Sequence, residues 1–182
     1  MKRALISIFM LGVLAACQEA VQIAKPDAVH LTPEAAGHYC QMTVLEHEGP
    51  KAQIHLAGNP NPLWFTQVRD AVAFLRSPEE PKDIAAVYVN DMERAESWTQ
   101  TGTDNWIDLD GAWFVIGSDV AGGMGAPEAI PFGTQAGADA FARDNKGRVV
   151  RAEDIPTDYV LGAVDVSAAT SVPMSAKHGA AQ

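Results

Sequence analysis

Apolar and polar positions alternate in short runs along the middle of this chain, and two helical patterns interrupt them. Strand-like runs occupy Met42–Glu46 and Ala52–Leu56, joined across Gly49-Pro50, where glycine supplies backbone freedom and proline fixes the next φ. A helix that buries one stripe is then predicted by apolar residues at helical spacing, namely Trp64, Phe65, Val68, Ala71, Val72 and Leu75. Prolines end this helix, and a further strand is predicted at Ile84–Val89.

The same order of elements then occurs again. Strand-like runs at Ala112–Ile116 and Ala129–Phe132 precede a helix predicted over Gln135–Asn145 and capped by Thr134, and Arg148–Arg151 forms the last strand. The two halves align through phenylalanines spaced nine residues apart, Phe65 and Phe74 with Phe132 and Phe141. This pattern predicts an α+β fold of two similar β-β-α-β units, about residues 41–91 and 112–152, each forming a small sheet-plus-helix lobe.

The first seventeen residues have the pattern of an export signal. Lys2 and Arg3 precede an apolar run, Ala4–Ala16, which is too short and too early to span a membrane. The run ends in Leu14-Ala15-Ala16-Cys17, which resembles the bacterial lipoprotein box and implies cleavage before Cys17 and lipidation of that cysteine. The alternative is an ordinary secreted protein cut at a small-residue site. We expect a signal peptide at residues 1–16 and a membrane anchor made of several acyl chains.

The rest of the chain divides by composition. Residues 17–37, with Pro26 and Pro33, lack sustained periodicity, so we expect a flexible linker there. The folded domain is predicted at residues 38–166. Small residues dominate residues 167–182, which predicts a mobile tail.

The charge of the chain restricts its partners. Loss of Lys2 and Arg3 with the signal peptide changes the formal net charge from −10 to −12, and no basic cluster remains. Binding to nucleic acid through phosphate neutralisation is therefore disfavoured, whereas cationic ligands or basic partner surfaces fit. Because 47% of the residues are hydrophobic, the chain is not a disordered acidic tail.

Cys40 is the residue whose chemistry most needs an explanation, because lipidation of Cys17 leaves it without a disulfide partner in an exported protein. In extended backbone His38, Cys40 and Met42 would share one face. An imidazole, a thiolate and a thioether are suited to copper(I). The alternative is that Cys40 is a small buried hydrophobe and Met42 fills a gap in the core, and spacing alone favours this alternative.

A second soft donor lies in the stretch Gly122-Gly123-Met124-Gly125, whose glycines cannot shield a methionine or hold it in a helix. They allow close backbone approach, so this loop could bring the Met124 thioether to a metal held by Cys40. A phosphate-binding loop is a weaker interpretation, because no Gly-Lys-Ser or Gly-Lys-Thr follows. His47 is a further imidazole candidate, and Met92 is a weaker thioether candidate for which core packing is favoured.

Four segments together resemble the NosL family, the accessory lipoproteins of nitrous oxide reductase: His38–Val44, Gly49–Ile54, Tyr88–Met92 and Gly122–Gly125. The resemblance covers about residues 38–155. It implies a periplasm-facing lipoprotein that binds copper(I) and delivers it for assembly of the reductase's copper–sulfide site. The implied partners are nitrous oxide reductase and a membrane-bound maturation complex that includes an ABC transporter. The sequence leaves open which membrane holds the anchor.

The resemblance also implies ligands. Cys40 and Met42 correspond to the family's Cys-x-Met pair, and Met124 corresponds to the methionine of its glycine-rich segment. His38 and His47 remain competing imidazole candidates. The family commonly has glycine where this chain has Gln41. Glutamine should be tolerated there if its side chain points outward, but not if the backbone makes a turn that depends on glycine.

A thiol enzyme with Cys40 as nucleophile is the rival hypothesis. It requires a base, which His38 or His47 could supply, or a resolving thiol, which a mature chain with Cys17 acylated lacks. Met42 and Met124 would have no role in that chemistry. We therefore expect a binding protein and not an enzyme.

Overall fold

The structure, a computed structural model, describes residues 25–164. Antiparallel strands and short helices follow one another along this part of the chain, and none of its helices is long and apolar enough to cross a membrane. The elements are β1 (Ala52–Leu56), β2 (Leu63–Phe65), α1 (Val68–Arg76), β3 (Ile84–Asn90), β4 (Trp106–Asp108), β5 (Trp113–Ile116), β6 (Ile130–Phe132), α2 (Gln135–Asn145), β7 (Arg148–Arg151) and α3 (Thr157–Leu161).

The predicted duplication is present in the topology. In each unit the first strand lies in the middle, the second strand pairs on one side, and the strand after the helix pairs on the other. The first sheet has the order β2-β1-β3-β4 and the second β6-β5-β7, so β4 is an addition at the edge of the first sheet. The α+β class and the β-β-α-β order of both units are confirmed.

Matching phenylalanine pairs join helix and sheet in the two units. The rings of Phe65 in β2 and Phe74 in α1 have centroids 5.6 Å apart, and those of Phe132 in β6 and Phe141 in α2 are 5.2 Å apart. The first pair is edge-to-face and the second is tilted, and such aromatic contacts stabilise a packed pair beyond the area that it buries. The nine-residue spacing of the phenylalanines is therefore a packing signal.

The two units share their largest core. Alternate residues of β5 point to opposite faces, as the strand period requires. Phe114 and Ile116 join the core built from α1 and the first sheet, whereas Val115 joins a smaller core with α2. The second sheet is thus buried on both faces, and α1 packs in the core that both units line.

One predicted strand is wrong. Met42–Glu46 does not pair as a strand, because the chain there forms a tight turn followed by a 3₁₀ turn at Val44–Glu46. The strand that pairs with β1 is instead β2, with Gln53 opposite Trp64, where the apolar spacing had predicted the start of the helix. The helix itself begins at Val68.

The predicted flexible linker also differs from the structure in its second half. Leu31 and Ala35 are buried with Val44 in a third apolar cluster, and the Leu31 N–H donates to the carbonyl of Thr103 at 3.0 Å. The folded part therefore begins before His38. The predicted signal peptide, the lipidation site Cys17 and the predicted tail at residues 167–182 lie outside the described residues.

The cap of α2 is as predicted, and we expect it to contribute to stability. The Thr134 hydroxyl accepts a hydrogen bond from the Gly137 N–H at 3.0 Å. Thr134→Ala should lower the free energy of unfolding by about 1 kcal/mol, because it leaves a helix N–H unpaired. Urea denaturation measures this change. Thr134→Ser keeps the hydroxyl and is the control, and equal losses in both variants would argue against the cap.

Candidate metal centre

The segment that carries Cys40 is a tight turn. The Gly37 N–H donates to the carbonyl of Met42 at 2.9 Å, and the Gln41 N–H donates to the carbonyl of Gly37 at 2.8 Å. Gln41 has a φ of +58°, in the left-handed region that favours glycine. Its side-chain amide donates to the carbonyl of His38 at 2.7 Å, which supports this conformation. The extended arrangement of residues 38, 40 and 42 is therefore wrong, and Gln41 occupies a position where glycine would be unstrained.

Close packing directs the Cys40 side chain. A Cβ atom placed on Gly37 would lie 2.5 Å from Cys40 Sγ and 3.1 Å from Thr66 Cγ2. Gly37 thus leaves room for the thiol between the turn and Thr66. Cys40 is half-buried, and it is the free cysteine of the described part of the chain.

Thr66 brings two of the predicted sulfur donors together. Its hydroxyl lies 3.7 Å from Cys40 Sγ and donates to Met124 Sδ at 3.4 Å. The two sulfurs are therefore no farther apart than the sum of these distances. Thr66 is 2% exposed and lies between β2 and α1, so its position is set by both elements.

The loop that carries Met124 is attached to the first unit at several points. The Met124 backbone N–H donates to Gln67 Oε1 at 3.3 Å. Gly122 packs against the side chains of Gln67 and Glu128, and Gly123 packs against the backbone of Glu48, where a Cβ atom would collide. The absence of side chains at these two glycines is what allows the loop to lie this close.

Glu128 fixes the base of this loop. Its Oε1 accepts hydrogen bonds from the Arg69 N–H at 2.7 Å and from the Ala129 N–H at 2.8 Å. Arg69 is in the first turn of α1, whose N-cap residue Gln67 makes no side-chain cap of its own. A carboxyl group from the second unit therefore caps the helix of the first by accepting a hydrogen bond from one of the N–H groups that its first turn leaves without a helical partner.

Two buried ionisable groups lie beneath the loop. Burial raises the pKa of Glu128 to about 8, while hydrogen bonds from the Arg69 and Ala129 N–H groups oppose the shift. Burial lowers the pKa of Lys51 to about 8, and the Glu128 and Glu48 charges oppose that shift. Lys51 Nζ donates to the carbonyl of Gly49 at 2.5 Å. Within the described residues Glu128 Oε2 has no hydrogen-bond partner.

The other predicted donors lie in three different surroundings. Met42 is 41% exposed and belongs to the same turn as Cys40. The His38 ring packs among aromatic side chains, 5.4 Å from the Phe74 ring centroid and 5.7 Å from that of Phe65. His47 is half-buried at the end of the 3₁₀ turn. Met92 packs against the smaller core, as its favoured interpretation predicted.

No group of three or more His, Cys, Asp or Glu side chains within residues 25–164 could hold a metal ion. The candidate site is instead one thiol with methionine thioethers, a soft donor set. The structure brings Cys40 and Met124 together through Thr66, with Met42 nearby in sequence. The assignment of these residues as ligands stays a prediction.

Three residues that position the sulfurs are not among the predicted site residues: Thr66, Gln67 and Glu128. Each had a recognisable signal. Thr66-Gln67 is a polar pair between an apolar strand and an apolar helix, and Glu128 is a lone charge in the otherwise apolar stretch Ala126–Phe132. A charged or polar residue in such surroundings is usually buried with partners.

Comparisons with known proteins all find relatives in one family. A family model described as NosL matches residues 28–160. The chain is 50% identical over 158 residues to the copper-binding lipoprotein NosL of Achromobacter cycloclastes, covering 85% of this chain and 80% of the relative. It is 32% identical over 139 residues to the protein of that name from Stutzerimonas stutzeri, covering 76% and 70%.

A solved structure has the same fold. The crystal structure of the copper chaperone NosL from Shewanella denitrificans superimposes with a TM-score of 0.65 at 29% identity, covering 71% of this chain and 95% of that one. The names of these three relatives describe binding or chaperone proteins and not enzymes. The prediction of a non-enzyme is therefore confirmed.

The raised pKa of Glu128 predicts a pH-dependent stability. Between about pH 5 and 7.5 the folded chain keeps a proton that the unfolded chain, with the ordinary pKa of 4.5, releases. The free energy of unfolding should therefore fall as pH rises, by at most about 1.4 kcal/mol per pH unit for one proton.

Glu128→Gln removes this titration while keeping an acceptor for the Arg69 N–H, so its stability should depend less steeply on pH. Urea denaturation at several pH values between 5 and 7.5 measures both slopes. Glu153→Gln, at an exposed position, is the control and should leave the slope unchanged. Parallel profiles for wild type and Glu128→Gln would contradict the assignment.

Proposed function

Because the chain belongs to the NosL family, we propose that it is a lipoprotein that binds copper(I) and delivers it for assembly of the copper–sulfide site of nitrous oxide reductase. The proposal places Cys17 as the lipidated anchor and the folded domain on the periplasmic side of the membrane. Nitrous oxide reductase and its membrane-bound, ABC-transporter-type maturation complex are the proposed partners. The names of the relatives support copper binding and lipidation.

The observation that carries the proposal is the meeting of Cys40 Sγ and Met124 Sδ at one buried hydroxyl, that of Thr66. Thiolate and thioether sulfurs favour copper(I) over the harder ions that prefer oxygen. Met42 belongs to the same turn as Cys40, and the Met42 and Met124 side chains are both 41% exposed, so the fold encloses neither thioether. We assign Cys40, Met42 and Met124 as the copper ligands.

Thr66 has a specific part in this proposal. It carries one hydroxyl proton, which it donates to Met124 Sδ. When Cys40 loses its proton to bind copper, donation to the thiolate becomes the stronger hydrogen bond, since one partner is charged. The hydroxyl then turns towards Cys40, and the Met124 thioether is released to bind the ion.

The exposure of the methionines fits a protein that must give up its cargo. Few ligands and an open side leave room for a donor from a partner to enter before a thioether leaves. Copper then passes between proteins without becoming a free ion. Cys40, which is half-buried and packed against Gly37, holds the ion until the partner's ligands replace it.

Anaerobic titration of the mature chain without Cys17 against a chromogenic copper(I) chelator tests this proposal. Cys40→Ser should lower the affinity on the order of 100-fold or more, because it removes the charged ligand. Met42→Leu and Met124→Leu should each lower it by about tenfold, since leucine keeps the volume but has no sulfur. Met92→Leu is the matched control. A wild-type chain that cannot compete for copper(I), or one that loses nothing with Cys40→Ser, would overturn the proposal.

The Thr66 hydroxyl predicts a smaller effect. Thr66→Val keeps the branched shape but cannot donate to the thiolate, which should cost about 1 kcal/mol, or roughly a fivefold loss of copper(I) affinity. The same chelator competition measures this loss. Thr66→Ser retains the hydroxyl and should bind nearly as wild type does. If the valine and serine variants lose equal affinity, the methyl packing of Thr66 matters and its hydrogen bond does not.

A further inference from the structure

The segment that carries Met124 is a built turn and not an open arm. Ala121 and Pro127 form an antiparallel bridge that closes the segment at its base. At its tip the Gly125 N–H donates to the carbonyl of Gly122 at 2.8 Å, which makes a four-residue β-turn with Met124 at its third position. The Met124 backbone therefore moves as part of this turn, and the contacts that fix the turn to the rest of the molecule also place the thioether.

The turn is fixed to the start of α1 through the side chain of Gln67. The Met124 N–H donates to Gln67 Oε1 at 3.3 Å. Gly122 packs so closely on the same oxygen that a Cβ atom there would lie 2.4 Å from it. Because Gln67 is 3% exposed, bulk water does not replace this contact. The position of the Gln67 amide oxygen therefore sets the position of the Met124 backbone.

Asp70 decides which way the Gln67 amide faces. Gln67 Nε2 donates to Asp70 Oδ2 at 3.3 Å. A side-chain amide can turn over and exchange its oxygen and nitrogen, but a carboxylate only accepts and the Met124 N–H only donates. Both partners therefore require the same orientation, with Nε2 towards Asp70 and Oε1 towards Met124. Burial raises the pKa of Asp70, whereas the Gln67 hydrogen bond and the Arg69 charge oppose that shift and favour the ionised carboxylate.

We propose that Asp70 is a positioning residue of the copper site, which orients the Gln67 amide so that the Met124 turn keeps its thioether at the Thr66 hydroxyl beside Cys40. This inference rests on the proposed function and adds a residue that supplies no ligand. Without Asp70 the amide is free to turn its NH₂ group towards the Met124 N–H, and two donors then face each other. The turn loses this point of attachment, and copper(I) loses a correctly placed thioether.

Asp70 also has an ordinary structural role, because a negative charge in the first turn of a helix is stabilising. Two substitutions separate the two roles. Asp70→Ala removes both the charge and the acceptor, whereas Asp70→Asn removes the charge but keeps an oxygen that can accept from Gln67 Nε2. Positioning predicts a loss of copper(I) affinity in the alanine variant alone, whereas helix stabilisation predicts equal losses in both.

The experiment is a competition for copper(I) between the full lipidated chain in detergent and a chromogenic chelator. Asp70→Ala should lower the copper(I) affinity about fivefold, which is the loss expected for one hydrogen bond, and Asp70→Asn should lower it by less than about twofold. In a Met124→Leu background Asp70→Ala should have no further effect, because Asp70 acts only through Met124. Asp158→Ala removes the acidic residue of the first turn of α3 and is the matched control, which should bind copper(I) as wild type does.

A nuclear magnetic resonance measurement follows the thioethers themselves. With methionine methyl groups labelled with ¹³C, copper(I) should shift the Met42 and Met124 signals of wild type, and Asp70→Ala should reduce the shift at Met124 alone. Equal affinity losses in Asp70→Ala and Asp70→Asn, additive losses from Asp70→Ala and Met124→Leu, or an undiminished Met124 shift in Asp70→Ala would each overturn the inference. Failure of the proposed function is distinguishable, because wild type would then not hold copper(I) against the chelator, and this inference would fall with it.

Discussion

The arrangement of the candidate site depends on the contact between the Glu128 carboxyl group and the backbone N–H of Arg69. This hydrogen bond joins a loop of the second unit to the first turn of α1. Arg69 reinforces it, since its guanidinium group donates to the carbonyls of Pro127 at 3.0 Å and Val160 at 3.1 Å. Because Thr66 lies two residues before the start of this helix, fixing the loop here also brings Met124 to the Thr66 hydroxyl. A carboxyl group buried for structural reasons thus determines where a sulfur lies.

The duplication explains the order of strands and helices in both units. It does not explain the candidate site, because the matching junction of the second unit has no equivalent of it. At the junction of β2 and α1 the residues are Thr66-Gln67, and both contact the Met124 loop. At the equivalent junction of the second unit, the Gly133 N–H donates to the carboxylate of Asp91. Both junctions therefore use an acidic residue from elsewhere in the chain, but only the first leaves a hydroxyl facing two sulfurs. The same topology supports a structural contact in one unit and a candidate metal centre in the other.

The turn at Gln41 shows how a residue that departs from a family's pattern can be accommodated. A left-handed φ disfavours glutamine on steric grounds. The side-chain amide offsets part of that cost by donating to the carbonyls of His38 and Gly37. The thiol of Cys40 is consequently held by a turn that closes on itself through Gly37 and Met42. The relatives are named as copper-binding or copper-chaperone proteins, and the soft donor set with its exposed methionines is the basis on which we propose delivery of copper(I).

Local chemistry was sufficient to predict several features of this protein. The repeated β-β-α-β order, the Thr134 cap with its helix at Gln135–Asn145, and Cys40, Met42 and Met124 as candidates all follow from periodicity or residue type. Tertiary structure decided the rest. The Cys40 thiol meets Met124 because both sulfurs contact Thr66, β2 replaces a helical turn because it pairs with β1, and Glu128 caps a helix 59 residues away in the chain. These outcomes depend on contacts between distant segments, which no local pattern of apolar and polar residues encodes.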